Sequence, residues 1–186
     1  MKNTISIKKP TFVLSLILTF GIGILSGILL SAYISTKDLS AQKNDKIEGM
    51  ENAILAKLND NPENVELLVQ LGHFYFDNSF HKKAITAYEK ALSINANQPN
   101  VMTDLAIMYR RAKDKNKAIE ILTDVMKKYP THQPSRFNKG IILANDFEDL
   151  KGTVKVWEEL LKMNPNFTSP DGKPLKELIK HYKEGH

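Results

Sequence analysis

The chain has 186 residues, 42% hydrophobic and 25% charged, which is room for one ordinary domain plus an attachment and too apolar for a chain that stays unfolded. It has no cysteine, which excludes disulfides, thiolate-bound zinc, covalent haem attachment and a lipidated cysteine. Of the formal charge of +5, Lys2, Lys8 and Lys9 precede an uncharged run, and the remainder sets 23 basic residues against 21 acidic ones, a balance of +2 that excludes the basic footprint of a nucleic-acid binder.

The first element follows this basic N-terminus, residues 1–10. Between Pro10 and Thr36 no residue is charged, and Thr11 to Ile34 gives 24 mostly apolar residues, about 36 Å of helix. That exceeds the ~30 Å of a bilayer's hydrocarbon core, so 11–34 is expected to be a transmembrane anchor. Pro10 suits the first helical turn. The competing reading is a cleaved secretory signal, but its apolar region is normally shorter, and Leu30-Ser31-Ala32 and Leu39-Ser40-Ala41 put leucine where a cleavage site wants a small residue. Lysines ahead of the span predict a cytoplasmic N-terminus, which sends everything after Lys37 to the periplasm of a bacterial inner membrane or to the cell exterior.

Within the run Ser15, Thr19, Gly23, Gly27, Ser31 and Ser35 recur every fourth residue. Such a row forms a shallow groove along which a second membrane helix, from a partner or from another copy, can approach closely. The plain alternative is that Gly and Ser are common in membrane helices. Residues 35–46 are polar, lack apolar periodicity and read as a short tether.

From residue 47 the chain repeats. Leu71 and Leu105, Gly72 and Ala106, Tyr75 and Tyr109, and Ala84 and Ala118 are each 34 residues apart, and Gly140 continues the step. Each unit reads as two short helices. In the first, Leu67, Leu68, Leu71, Phe74 and Tyr75 share one apolar face, Asn78-Ser79 marks a turn, and Ala84, Ile85, Tyr88, Ala91 and Leu92 share another. The repeats are expected at about 65–98, 99–132 and 133–166. In the third, Thr153, Trp157, Leu160 and Pro165 regain the register only after one inserted residue, expected in a loop around Asn145 to Lys151. Upstream, Met50, Ile54, Leu58 and Pro62 match the second helix of a repeat whose first is missing, a half-repeat cap. Downstream, the turn Pro170-Asp171-Gly172 precedes a cap helix at 174–183 with Leu175, Leu178, Ile179 and Tyr182 on one face.

Leu68 to Tyr75, LVQLGHFY, with Ala84, Tyr88 and Ala91, and then Met102, Leu105, Ala106, Tyr109, Ala118, Leu122, Val125 and Pro130, resemble the tetratricopeptide repeat (TPR) family. The resemblance covers about 48–183. It implies an all-α solenoid of about three helix pairs with flanking cap helices, behind the single N-terminal membrane helix, and a concave groove that binds an extended peptide or a partner helix. The whole domain, including Leu58-Asn59-Asp60-Asn61-Pro62, also resembles periplasmic TPR factors of bacterial cytochrome c maturation.

Counting from the repeat register, the groove is expected to be lined by Val69, His73, Phe76 and Asp77, then Thr103, Ile107, Arg110 and Arg111, then Phe137, Ile141 and Asn145. Phe76, Ile107, Phe137 and Ile141 offer apolar anchoring, and Phe137 reads equally as core. Arg110 and Arg111 suit a carboxylate, or simply complement a helix end. The family's clamp for C-terminal Glu-Glu-Val-Asp tails is mostly absent: Val69, His73, Asp104 and Pro134 stand where it needs lysines and asparagines.

No enzyme is expected. His73, His81, His132, His181 and His186 are scattered, with no His-x3-His pair and no glycine-rich phosphate loop. Neither cofactor nor metal is expected. The sequence reads as a membrane-anchored scaffold for a protein partner, with assistance to cytochrome c or other complex assembly as the expected role; the alternative is a structural subunit assembled through the small-residue stripe.

Overall fold

The computed structural model describes the backbone of residues 9–184 and the side chains of residues 26–184. The chain divides into two units, Met1–Met50 and Glu51–His186. Helix α1 runs from Lys9 to Asp60, and in the first unit its described side chains are almost all exposed. Residues 35–46, expected as a tether, are helical. The reason is local: the stretch has neither Gly nor Pro, and its Lys, Ala, Gln and Leu are good helix formers. Thr36 Oγ1 donates to Tyr33 O at 2.9 Å and Ser40 Oγ to Lys37 O at 2.7 Å, so these hydroxyls bond back to the helix rather than compete with it.

Among the described residues no helix is long and apolar enough to cross a membrane. Most of the expected span, 11–25, lies outside the residues whose side chains are described, and with it Ser15, Thr19 and Gly23 of the small-residue row. Gly27 and Ser31 are exposed on α1, and nothing stands within 4 Å of a Cβ built on Gly27.

The second unit is an all-α solenoid. It takes the end of α1 and continues through α2 (Val65–Asp77), α3 (His81–Ile94), α4 (Pro99–Arg111), α5 (Lys115–Lys128), α6 (Gln133–Phe147), α7 (Leu150–Met163) and α8 (Leu175–Glu184). From α2 to α8 each helix packs on the next, and α4 also packs on α6, so first helices of successive repeats stand side by side. Ile54 and Leu58 of α1 are buried as a half-repeat cap requires, whereas Met50 is exposed. Glu51 fixes this end: its carboxylate accepts from Tyr75 Oη and Lys83 Nζ, both at 2.7 Å, which holds it below the usual carboxylate range.

Helix starts follow their caps. The side chains of Asn64, Asp114 and Asp149 accept from the backbone N–H of Leu67, Lys117 and Gly152, at 3.0, 3.0 and 2.8 Å. Pro99 opens α4, and Pro134 lies in the first turn of α6. Small residues admit large rings. A Cβ on Gly72 would lie 2.3 Å from Tyr88 Cε1, and one on Gly140 would lie 2.1 Å from Trp157 Nε1. Trp157 donates from Nε1 to Phe137 O at 3.1 Å and stacks on the Phe137 ring at 5.7 Å.

That contact decides between the two readings of Phe137, groove and core. Phe137 is buried in a cluster with Trp157, Leu160, Leu175 and Ile179, because α8 closes over this end of the stack and turns the ring into core. For Thr103 the groove expectation is corrected: it is buried, and its hydroxyl donates to Pro99 O at 2.8 Å.

The inserted residue does not loop out either. α2 and α4 have 13 residues and α6 has 15, while the connection that spans 78–80 and 112–114 in the first two repeats shrinks to 148–149. The left-handed residue that turns each pair, Ser79 and then Lys113 34 positions on, comes at Glu148, 35 on. The insertion has been absorbed as extra helix.

Candidate functional site

The first helices of the repeats, α2, α4 and α6, supply the concave wall. Of the expected groove residues, the structure brings Phe76, Ile107, Arg110 and Arg111 together around one cavity of 460 Å³, with Lys113, Lys115, Asn138 and Asp146 completing its lining. Val69, His73, Asp77, Ile141 and Asn145 remain at least partly accessible but outside that lining. Thr103 and Phe137 are withdrawn into the core.

The cavity is electropositive and partly self-compensated. Asp146, carried to the end of α6 by the longer helix, accepts from Arg110 Nε on its carboxylate and from Lys115 Nζ on its backbone carbonyl. Lys115 also stands 4.5 Å over the Phe147 ring. Arg111 is held differently. Its guanidinium centre lies 4.5 Å over the face of Phe76, and it forms no ion pair or side-chain hydrogen bond with any described residue. Lys113 is exposed, with φ of 74° at the turn between α4 and α5.

Further along the wall the charge reverses. His73 Nε2 lies 3.3 Å from Asp104 Oδ2. Burial pushes the Asp104 carboxyl up, His73 opposes that rise, and Asp77 adds to it. Beneath them Tyr88 is fully buried, its ring 5.6 Å from that of His73, and its hydroxyl has no hydrogen-bond partner among the described residues. Burial raises the Tyr88 hydroxyl, with the charges of Asp104 and Asp77 adding to the rise. The groove is therefore bipolar: acidic near His73, cationic at the end of α4.

A second cleft, of 480 Å³, lies among α1, α2 and α3, with an apolar floor that includes Leu58, Leu68, Leu71 and Tyr75. Among the described residues no group of three His, Asp or Glu side chains is placed to hold a metal ion. Nor does the lining of the 460 Å³ cavity hold a Ser, Thr, Cys or His. What the surface offers is an apolar floor with charged walls, suited to holding a polypeptide.

Sequence reasoning reached the floor and the two arginines, and missed Lys113, Lys115 and Asp146. The slip of register after Gly140 was the available signal, since one additional residue in α6 is what brings Asp146 to Arg110.

A model of the tetratricopeptide repeat matches residues 65–98, the bounds of the first expected repeat. Among curated proteins, the human Protein O-mannosyl-transferase TMTC3 is 28% identical over 113 residues, 61% of this chain and 12% of the relative. The Photosystem I assembly protein Ycf3 of Parasynechococcus marenigrum (strain WH8102) is 36% identical over 84 residues, 43% of this chain and 49% of the relative. The chain thus spans half or less of the length of the curated relatives it matches. Among solved structures, the first TPR of Spaghetti (RPAP3) bound to the HSP90 peptide SRMEEVD superposes with a TM-score of 0.56 at 18% identity, over 64% of this chain and 90% of the other. At that identity the likeness is one of fold.

Proposed function

We propose that this tetratricopeptide-repeat protein is a membrane-tethered scaffold that holds an extended segment of a partner protein in the groove along α2, α4 and α6. The observation that carries the reading is the Phe76–Ile107 floor, flanked by an arginine whose donors no described residue takes up. Two likenesses support it: a similar fold holds a peptide, and a relative is named as an assembly protein. Assistance to complex assembly, cytochrome c maturation included, fits a scaffold of this kind.

The tether is read from the sequence alone, from the uncharged run 11–34 and the lysines before it. It puts the repeats on the periplasmic or extracellular side. Confinement to a surface raises the effective concentration of whatever the groove binds, so modest contacts suffice. A second reading, a structural subunit joined through its anchor, is favoured by the open small-residue surface at Gly27 and Ser31.

Photo-crosslinking in native membranes separates the two. A crosslinker at Ile107 is expected to trap one defined polypeptide that a crosslinker at Lys128, on α5, does not. Adducts formed only from Gly27 would replace the groove reading with the structural one. Protease accessibility of the repeats in sealed vesicles tests the sidedness.

A further inference from the structure

We propose that the mouth of the groove at the end of α4 receives an acidic peptide segment of the partner, gripped through side-chain carboxylates by Arg111 and Lys113 above the floor of Phe76 and Ile107. The inference deepens the scaffold reading and rests on it.

Four cations, Arg110, Arg111, Lys113 and Lys115, converge on the 460 Å³ cavity, and Asp146 is the only carboxylate in its lining. Asp146 engages Arg110 and Lys115. Its carboxylate compensates Arg110, while its backbone carbonyl only positions Lys115, and Arg111 and Lys113 are left open. The Arg111 guanidinium centre lies 4.5 Å over the Phe76 ring, a contact that limits its freedom, and no described residue takes up its N–H donors. A planar fork held in place this way suits bidentate capture of a carboxylate, because less side-chain freedom is lost on binding. Lys113, two residues on and without a side-chain partner among the described residues, supplies a second charge to a neighbouring acid. Phe76 and Ile107 accept the apolar residue between them.

The rest of the wall sets direction. A free C-terminal carboxylate has no place near His73, where Asp104 and Asp77 already stand. Acidic side chains are repelled there and drawn to α4. The expected ligand is therefore an internal acidic stretch, carrying Asp or Glu beside a hydrophobic residue, and it needs no free C-terminus.

The test uses the full-length chain in a non-ionic detergent and a fluorescent, C-terminally amidated dodecapeptide of alternating Glu and Leu, against its Gln-for-Glu counterpart. Fluorescence anisotropy should show the Glu peptide binding at least about tenfold more tightly than the Gln peptide, with the difference shrinking as salt rises. Arg111→Glu with Lys113→Glu should abolish that preference, and Arg111→Gln alone should reduce it, with the circular dichroism and Trp157 emission unchanged. Equal binding of the two peptides that is lost on Ile107→Ala would overturn the acidic grip while leaving the scaffold reading intact. No binding of the Glu peptide, or binding that ignores Arg111 and Lys113, also refutes the proposal. Anionic phosphatidylglycerol vesicles form a third arm: if they are captured through the same two residues in preference to the peptide, the mouth is a lipid-headgroup site and the proposal fails.

Discussion

At the scale of single residues, close approaches set the tolerances. Gly140 has no room for a methyl group, since the Trp157 ring occupies the place of its Cβ and is itself held by Phe137 O. Gly140→Ala is expected to destabilise the fold by about 1–3 kcal/mol through overpacking, read from urea unfolding followed by Trp157 fluorescence. His132 makes a prediction about pH. Its Nδ1 accepts from Ser135 N at 3.3 Å as the cap of α6, and its Nε2 meets Asn100 Oδ1 at 2.8 Å, so the neutral ring carries its proton on Nε2. Burial, and then the nearby Arg136 charge, lower its pKa from the ordinary 6.5. Below 6.5 the unfolded chain therefore binds the proton before the folded one does. Stability should fall as pH drops from about 6.5 and level off beneath the folded value. His132→Asn keeps a capping side chain and should remove this slope between pH 6.5 and 5; an unchanged slope in the variant would assign the effect elsewhere.

At the scale of elements, the longer α6 matters most. Its helical pattern starts in register with α2 and α4 but runs to Phe147, and that length delivers Asp146 to Arg110 and Lys115. Asp146→Ala should leave all four cations uncompensated. Binding of an acidic peptide is then expected to strengthen by about threefold to tenfold at low salt, with a small loss of stability from the half-buried Arg110 left without its acid. Anisotropy across a salt series checks both sign and screening. The slip between Gly140 and Thr153 was legible in the sequence, but its outcome was not. One inserted residue can be taken up by a loop or by a helix, and a periodic pattern does not say which. Here it is taken up by helix, with α6 carried on to Phe147.

At the scale of the whole molecule, a solenoid must close its last repeat, and here α8 does so. Leu175 is fully buried against α7, and Leu175→Ala is expected to cost about 2–5 kcal/mol, seen as a lower thermal midpoint with early loss of Trp157 packing. The 34-residue spacing, the alternation of Gly72 with Tyr88 and Gly140 with Trp157, and the caps Asn64, Asp114 and Asp149 are local signals. For that reason the repeat units, their helices and the face each one buries could be read along the chain. Whether a residue lies on an open wall or beneath a neighbour depends on what arrives from a distance. Phe137 has groove spacing, yet the packing of α7 and α8 takes it inside. Arg110 and Arg111 are adjacent and chemically identical, yet one is paired by a residue 36 positions away and the other stacked on Phe76. Periodicity alone determined the architecture, because helix faces repeat with local spacing; tertiary structure decided which charges remain available to a partner, because pairing depends on distances that only the stacked helices fix.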